Sequence, residues 1–257
     1  MTTGDYLPPE FETPAKALEI RKKARRAIRL HRQQFEKAIK LGRCATQQRC
    51  RSGLCPICVR DLRKRLLKFL AEQQLSDRRW YLVTIRVKGW TKKIGDYSSF
   101  GPLRDHPSIK ALLGKLRRRA DGNILIVFGS IETVYRVVEN VPAGKPFHLH
   151  LMISGLKKRV IKEAVKATFD LDSKVAIPLF IDPVGNGEND FVKAASYAFK
   201  QPYWKASYRN ADDRHSKRQL PKSNQLAELI GNEGAHPWNG RLIILGIRFD
   251  QGTFRMT

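Results

Sequence analysis

Residues 124–153 read ILIVFGSIETVYRVVENVPAGKPFHLHLMI. Ile124 to Val138 is rich in β-branched and aromatic residues, as is Phe147 to Ile153, and the ENVPAGKP segment between them is turn-like. That pattern predicts a β-hairpin. Side chains alternate along a strand, so Phe147, Leu149, Leu151 and Ile153 take one face and His148 and His150 the other. Two imidazoles at i and i+2 can converge on one ion. On the partner strand, Ile131, Thr133, Tyr135 and Val137 alternate with Glu132, Val134 and Arg136. A turn centred near residues 140 and 141 lays Glu132 opposite the histidines. An even register puts it on their face, and a slip of one residue turns it away. Solvent-facing histidines and an ordinary surface carboxylate remain open alternatives.

Working outward, Trp80 to Val87 reads as a strand and about 108 to 119 as a basic helix. After the hairpin, Lys157 to Phe169 reads as a helix and Val175 to Ile181 as a strand. The order across 80–181 is β-α-β-β-α-β, the split βαβ or ferredoxin-like arrangement. The predicted fold is thus α+β, an antiparallel sheet with its first and third strands central and both crossover helices on one face. The loop DPVGNGEND ends at Asp190, expected to cap a helix from Phe191 to about Gln201 that Pro202 stops. That helix is free to pack near the other face of the sheet.

Residues 1–14 are Pro-rich. Ala15 to about Leu41 is expected as one basic helix, and Val59 to Leu75 as a second. Residues 203–222 read as basic and irregular, followed by a short helix near Leu226 and a strand over Leu242 to Phe249. Three regions are expected: a basic helical one with a cysteine cluster (1–75), the sheet domain (76–205) and a basic C-terminal extension (206–257).

The helix containing AASYAFKQ carries Lys193, Tyr197 and Lys200 at i−4, i and i+3, on one face. Two cations beside a phenol suit nucleophilic attack on a phosphodiester: they hold the phosphate and favour the phenolate. The same pattern also suits a partly buried tyrosine with solvated lysines. Tyr203, beyond Pro202, is the fallback nucleophile.

The chain has 257 residues, with 49 Lys and Arg against 24 acidic residues, a formal net charge of +25. Such an excess points to a polyanionic partner, nucleic acid before lipid. A hydrophobic fraction of 42% is ordinary for a globular protein. No apolar run approaches a membrane span and the N-terminus lacks a secretory pattern, so a cytoplasmic protein without a membrane partner is expected. All four cysteines, Cys44, Cys50, Cys55 and Cys58, lie within one short segment. Cys55-Pro-Ile-Cys58 has zinc-knuckle spacing while the first pair is wider, so structural Zn²⁺ is expected over a redox pair or free thiols. His31 is an alternative ligand. The flanking basic helices, with Arg63 and Lys64, read as a DNA-contacting surface.

Three motifs together resemble HUH endonucleases, specifically single-tyrosine rolling-circle replication initiators. WYLVTIRVKG resembles the first motif, with Thr84 embedded; FHLHLMIS resembles the paired-histidine motif; SYAFKQ resembles the tyrosine motif, with lysine three residues on. The cysteine stretch RCRSGLCPICVRDLRKR also has counterparts in bacterial members. The resemblance covers about residues 44–203. It implies Tyr197 as nucleophile with Lys200 assisting, Mg²⁺ or Mn²⁺ held by His148 and His150, and Thr84 as a DNA contact; the hairpin register adds Glu132 to the expected ligands, and the shared helix face adds Lys193 as an expected phosphate contact. Imidazole ligands make Mn²⁺ the more comfortable ion. The implied activity is nicking and rejoining of single-stranded or hairpin origin DNA of a plasmid or phage, with host helicase and polymerase as candidate partners. An HUH transposase is the runner-up. A non-catalytic nucleic-acid-binding module is the alternative of another class, though it would favour aromatics on the open sheet face.

Overall fold

A computed structural model describes residues 13–29, 35–45, 48–73, 75, 78–96, 101–185, 187–199, 204–208, 217–233, 242–250 and 253–257. The fold is α+β with a mixed sheet. Three helices come first: α1 (Pro14–Arg29), α2 (Phe35–Gly42) and α3 (Pro56–Glu72). The sheet region follows, in the order β1 (Trp80–Lys92), α4 (Pro107–Arg118), β2 (Ile126–Val138), β3 (Val141–Ser154), α5 (Lys158–Lys166) and β4 (Leu179–Pro183). Next come α6 (Glu188–Ala198), β5 (Trp204–Tyr208), β6 (Lys217–Gln219), α7 (Ser223–Glu233), β7 (Ile243–Leu245), β8 (Ile247–Asp250) and β9 (Thr253–Met256).

The sheet runs β4-β1-β3-β2-β5-β6, and β7 also pairs with β2. Strands β1 and β3 are therefore interior and antiparallel, as the sequence predicts. The outer edge of β2 is covered twice, by β7 along Val127–Gly129 and by β5, in parallel, along Val134–Val138. This leaves little of that edge open to pair with another chain.

Alternation divides the core. Val83, Ile85, Leu149, Leu151 and Ile153 meet Ile109, Leu112 and Leu116 of α4 and Ile161 and Val165 of α5 on one face. On the other face Trp80, Leu82, Phe128 and Met152 join Phe191, Ala195 and Ala198 of α6, backed by Leu62, Leu66 and Leu70 of α3. Both crossover helices thus cover one face, and α6 takes the opposite one.

Several boundaries depart from the sequence expectations. The helix expected over Ala15–Leu41 is two, and α2 lies back against α1. Gly187, not Asp190, occupies the N-cap of α6, and Asp190 falls in its first turn, where a carboxylate favours the positive end of the helix. β4 begins at Leu179 rather than Val175. The basic segment expected to be irregular contains β5 and β6, stabilised by pairing that no local pattern announces. Tyr208, expected in a loop, is in β5. The strand over 242–249 is broken at Gly246, whose φ of 75° departs from extended backbone, and glycine is required there because a Cβ would fall 2.1 Å from the Leu125 carbonyl oxygen. Among the described residues, no helix is long and apolar enough to cross a membrane.

Candidate metal and nucleophile site

Cross-strand pairing arranges the α6-facing side of the sheet in rows. Trp80, Ser154 and Ile126 form one row, and Leu82, Met152 and Phe128 the next. The third is Thr84, His150 and Ser130, and the fourth Arg86, His148 and Glu132. The first two rows are mostly apolar and bear α6. The next two are polar and lie where α6 ends.

Register brings Glu132 into its row through two devices. Glu139 and Asn140 make a tight turn with φ of 50° and 64°, which pairs Val138 with Val141 and Val137 with Pro142. Continued unbroken, that register would set Glu132 opposite Phe147, on the core face. A bulge at Ala143 intervenes, so that Arg136 pairs with Gly144 and Glu132 with His148. The extra residue turns the carboxylate onto the histidine face.

The ligand atoms of Glu132, His148 and His150 all lie within 4.8 Å of one another. Glu132 Oε2 is 3.0 Å from His150 Nε2, and Thr84 Oγ1 is 3.0 Å from His150 Nδ1. His150 is 1% exposed and Glu132 2%. A buried carboxylate beside a buried imidazole is expensive unless a proton or a cation lies between them. Two nitrogens and a carboxylate oxygen, held by a Thr84 hydroxyl at the far ring nitrogen, make a donor set that could hold a divalent transition ion.

Tyr197 lies against this set. Its ring centroid is 4.9 Å from that of His150, with the planes at 80°. The cleft lined by Glu132, His148, His150 and Tyr197 also receives Arg86 and Arg136. On its other side Tyr197 borders a second cavity, with Leu82, Asp182, Asp190 and Lys193 in its wall. Lys193 therefore sits one helical turn from the tyrosine, exposed. Lys200 and Tyr203 lie outside the described residues. Thr84 is half-buried and engaged with His150, so its placement suits orienting that ligand more than touching DNA.

The four cysteine sulfurs converge at the N-terminus of α3, all within 4.8 Å of one another. Sγ of Cys58 is 3.6 Å from those of Cys44 and Cys50, and Cys44 is 3.6 Å from Cys55. Four thiolates about 2.3 Å from a tetrahedral ion stand about 3.8 Å apart, so this cluster could bind zinc. The cysteines are free, and Cys44, Cys55 and Cys58 are buried. Hydrogen bonds from Cys55 and Cys58 pull the Cys50 thiol down to about 2. Its hydrogen bond to Cys50, aided by burial, pushes Cys58 up to about 12, and separate hydrogen bonds to Cys50 and Cys58, with burial, raise Cys55 as well. The negative charge on Cys50 suppresses ionisation of Cys55 and Cys58, and a bound dication would relieve that repulsion.

Arg63 corrects the sequence expectation of a DNA contact. It is 1% exposed, and its Nη2 donates to the Phe199 carbonyl oxygen at 2.6 Å. The mass of α6 on α3 buries it. Its neighbour Lys64 is half-buried. Sequence reasoning overlooked Arg86, Arg136 and Ser130. Strand parity could have found them: Arg86 is two residues from Thr84, while Ser130 and Arg136 flank Glu132 at even spacing. The chain matches no protein-family profile, no curated protein and no solved structure, so geometry and chemistry carry the functional reading.

Proposed function

We propose that this protein is an HUH-type endonuclease that nicks and rejoins single-stranded DNA through Tyr197, serving to initiate rolling-circle replication. The observation that carries the reading is the approach of the Tyr197 ring to His150, inside the cleft shared with His148 and Glu132. Tyrosine, histidines and carboxylate come from three separate elements, and a surface tyrosine would have no need of that company. The order β4-β1-β3-β2 with α4 and α5 on one face agrees with the split βαβ scaffold expected of such enzymes. The formal charge of +25 suits a polyanionic substrate.

His148, His150 and Glu132 would hold Mn²⁺ or Mg²⁺, which supplies Lewis-acid polarisation of the scissile phosphate. Thr84 keeps the His150 ring in one orientation. Arg86 and Arg136 bring guanidinium charge to the same cleft, where phosphate oxygens can accept from them. Tyr197 Oη forms a bond to phosphorus and gives up its proton to water in the cleft. The bond from phosphorus to O3′ breaks, and O3′ takes up a proton to leave as a free 3′ hydroxyl. The 5′ phosphate stays esterified to Tyr197, so the strand can be rejoined by reversal without ATP. The cysteine cluster would hold structural Zn²⁺.

The test presents the protein with Mn²⁺ and a pool of end-labelled single-stranded oligonucleotides able to form hairpins. A covalent adduct surviving denaturation is expected, mapping to Tyr197 and absent from Tyr197→Phe. No adduct from any member of the pool would sink the reading. An adduct that persists in Tyr197→Phe would move the nucleophile elsewhere.

A further inference from the structure

The last carbonyls of a helix lack intrahelical partners. In α6 these belong to the turn that carries Tyr197; the Phe199 N–H closes back on the Ser196 carbonyl, and two buried donors from other elements take the carbonyls of Ala198 and of the C-cap Phe199. Ser130 Oγ, from β2, donates to the Ala198 carbonyl oxygen at 2.6 Å. Arg63 Nη2, from α3, donates to the Phe199 carbonyl oxygen at 2.6 Å. These acceptors lie one and two residues beyond Tyr197. The guanidinium charge also suits the negative end of the helix.

Arg63 is itself held. Cys55 is the N-cap of α3 and Cys58 lies in its first turn. The helix is thus anchored by the cysteine cluster at one end and presents Arg63 about 12 Å along its axis. Ser130 stands in the same sheet row as His150 and Thr84. One grip therefore refers the tyrosine to the histidine strands, and the other to the cysteine cluster.

We propose that Arg63 is a positioning residue for Tyr197, fixing the end of α6 so that the phenol meets the His148–His150–Glu132 site, and that the cysteine cluster acts on the nucleophile through it. This rests on Tyr197 being the nucleophile. Arg63 touches neither DNA nor metal; its hydrogen bond sets where the phenol stands. A misplacement of about 1 Å in a reacting group can slow chemistry on the order of a hundredfold while binding is kept.

The experiment compares full-length wild type with Arg63→Met, Arg63→Lys and Ser130→Ala. For each, the single-turnover rate of adduct formation at saturating oligonucleotide and the Kd for that oligonucleotide by anisotropy are measured. Arg63→Met is expected to lose roughly ten- to a hundredfold in rate with Kd within about twofold of wild type. Arg63→Lys, which restores a donor, should recover part of the rate, and Ser130→Ala should fall in the same direction by less. A wild-type rate in Arg63→Met overturns the proposal, as does a Kd weakened as much as the rate, which would return Arg63 to DNA contact. Should Arg63→Met fail to fold, Arg63→Lys decides, and a rate there equal to wild type overturns the proposal. If wild type forms no adduct, or Tyr197→Phe still forms one, the functional reading fails and takes this one with it. An adduct on Tyr197 that is indifferent to Arg63 defeats the positioning role alone.

Discussion

Replacing Thr84 with valine removes one hydroxyl and nearly nothing else. In the structure that hydroxyl lies 3.0 Å from His150 Nδ1, while His150 Nε2 faces Glu132 at 3.0 Å. For Nε2 to bind an ion through its lone pair, the ring proton must sit on Nδ1, and Thr84 Oγ1 is there to accept it. In Thr84→Val that N–H has lost its acceptor in a ring only 1% exposed. An unsatisfied buried donor costs about 1–3 kcal/mol, equivalent to about 5- to 150-fold in an equilibrium constant. Loss of a partner behind a metal-bound histidine typically costs 10- to 100-fold in affinity, roughly the same range by a separate route. The expected result is Mn²⁺ binding weakened about tenfold or more, with Thr84→Ser close to wild type. Calorimetric titration of metal-free protein with Mn²⁺ measures both. Mn²⁺ affinity in Thr84→Val within about twofold of wild type would refute the orienting role.

Three more outcomes follow from the same geometry. Gly129→Ala should destabilise the sheet by about 1–3 kcal/mol and weaken Mn²⁺ binding, because its Cβ would fall 2.0 Å from the His150 carbonyl oxygen; a thermal melt and metal titration matching wild type would show that the strands yield freely. At the buried pair, Lys145 Nζ is 2.9 Å from Glu228 Oε2, so Glu228→Ala should cost about 3–5 kcal/mol in urea unfolding while Lys145→Met with Glu228→Leu costs much less, and equal losses would refute the unpaired-charge account. Zinc uptake by the cysteines should release protons from the thiols that are raised in the metal-free protein, Cys55 and Cys58. Affinity should therefore fall as pH falls, by roughly tenfold per pH unit for each proton released; a competition titration flat across pH would contradict it.

Period-two alternation was enough to put His148 and His150 on one face and Leu149 and Leu151 on the other, because a strand's pleat is a local property of the chain. The element order of the sheet region followed from similar local patterns, as did the helix that carries Tyr197. The cysteine spacing announced a cluster. Glu132 was different: its face depended on whether Ala143 counts as a paired residue or a bulge, and a bulge is settled by how two strands meet. Arg63 looked like a surface cation because a basic helix has no local mark showing which cations a neighbour will bury. The packing of α3 on α6 decided that. β5 and β6 were invisible for a similar reason, since their stability lies in pairing with β2, a partner far away in sequence. Tertiary structure also brought Tyr197 to His150, by seating α6 on the apolar rows of the sheet so that its last turn ends over the polar ones. Periodicity along a chain determines which side chains share a face; only contact between distant segments determines which faces meet.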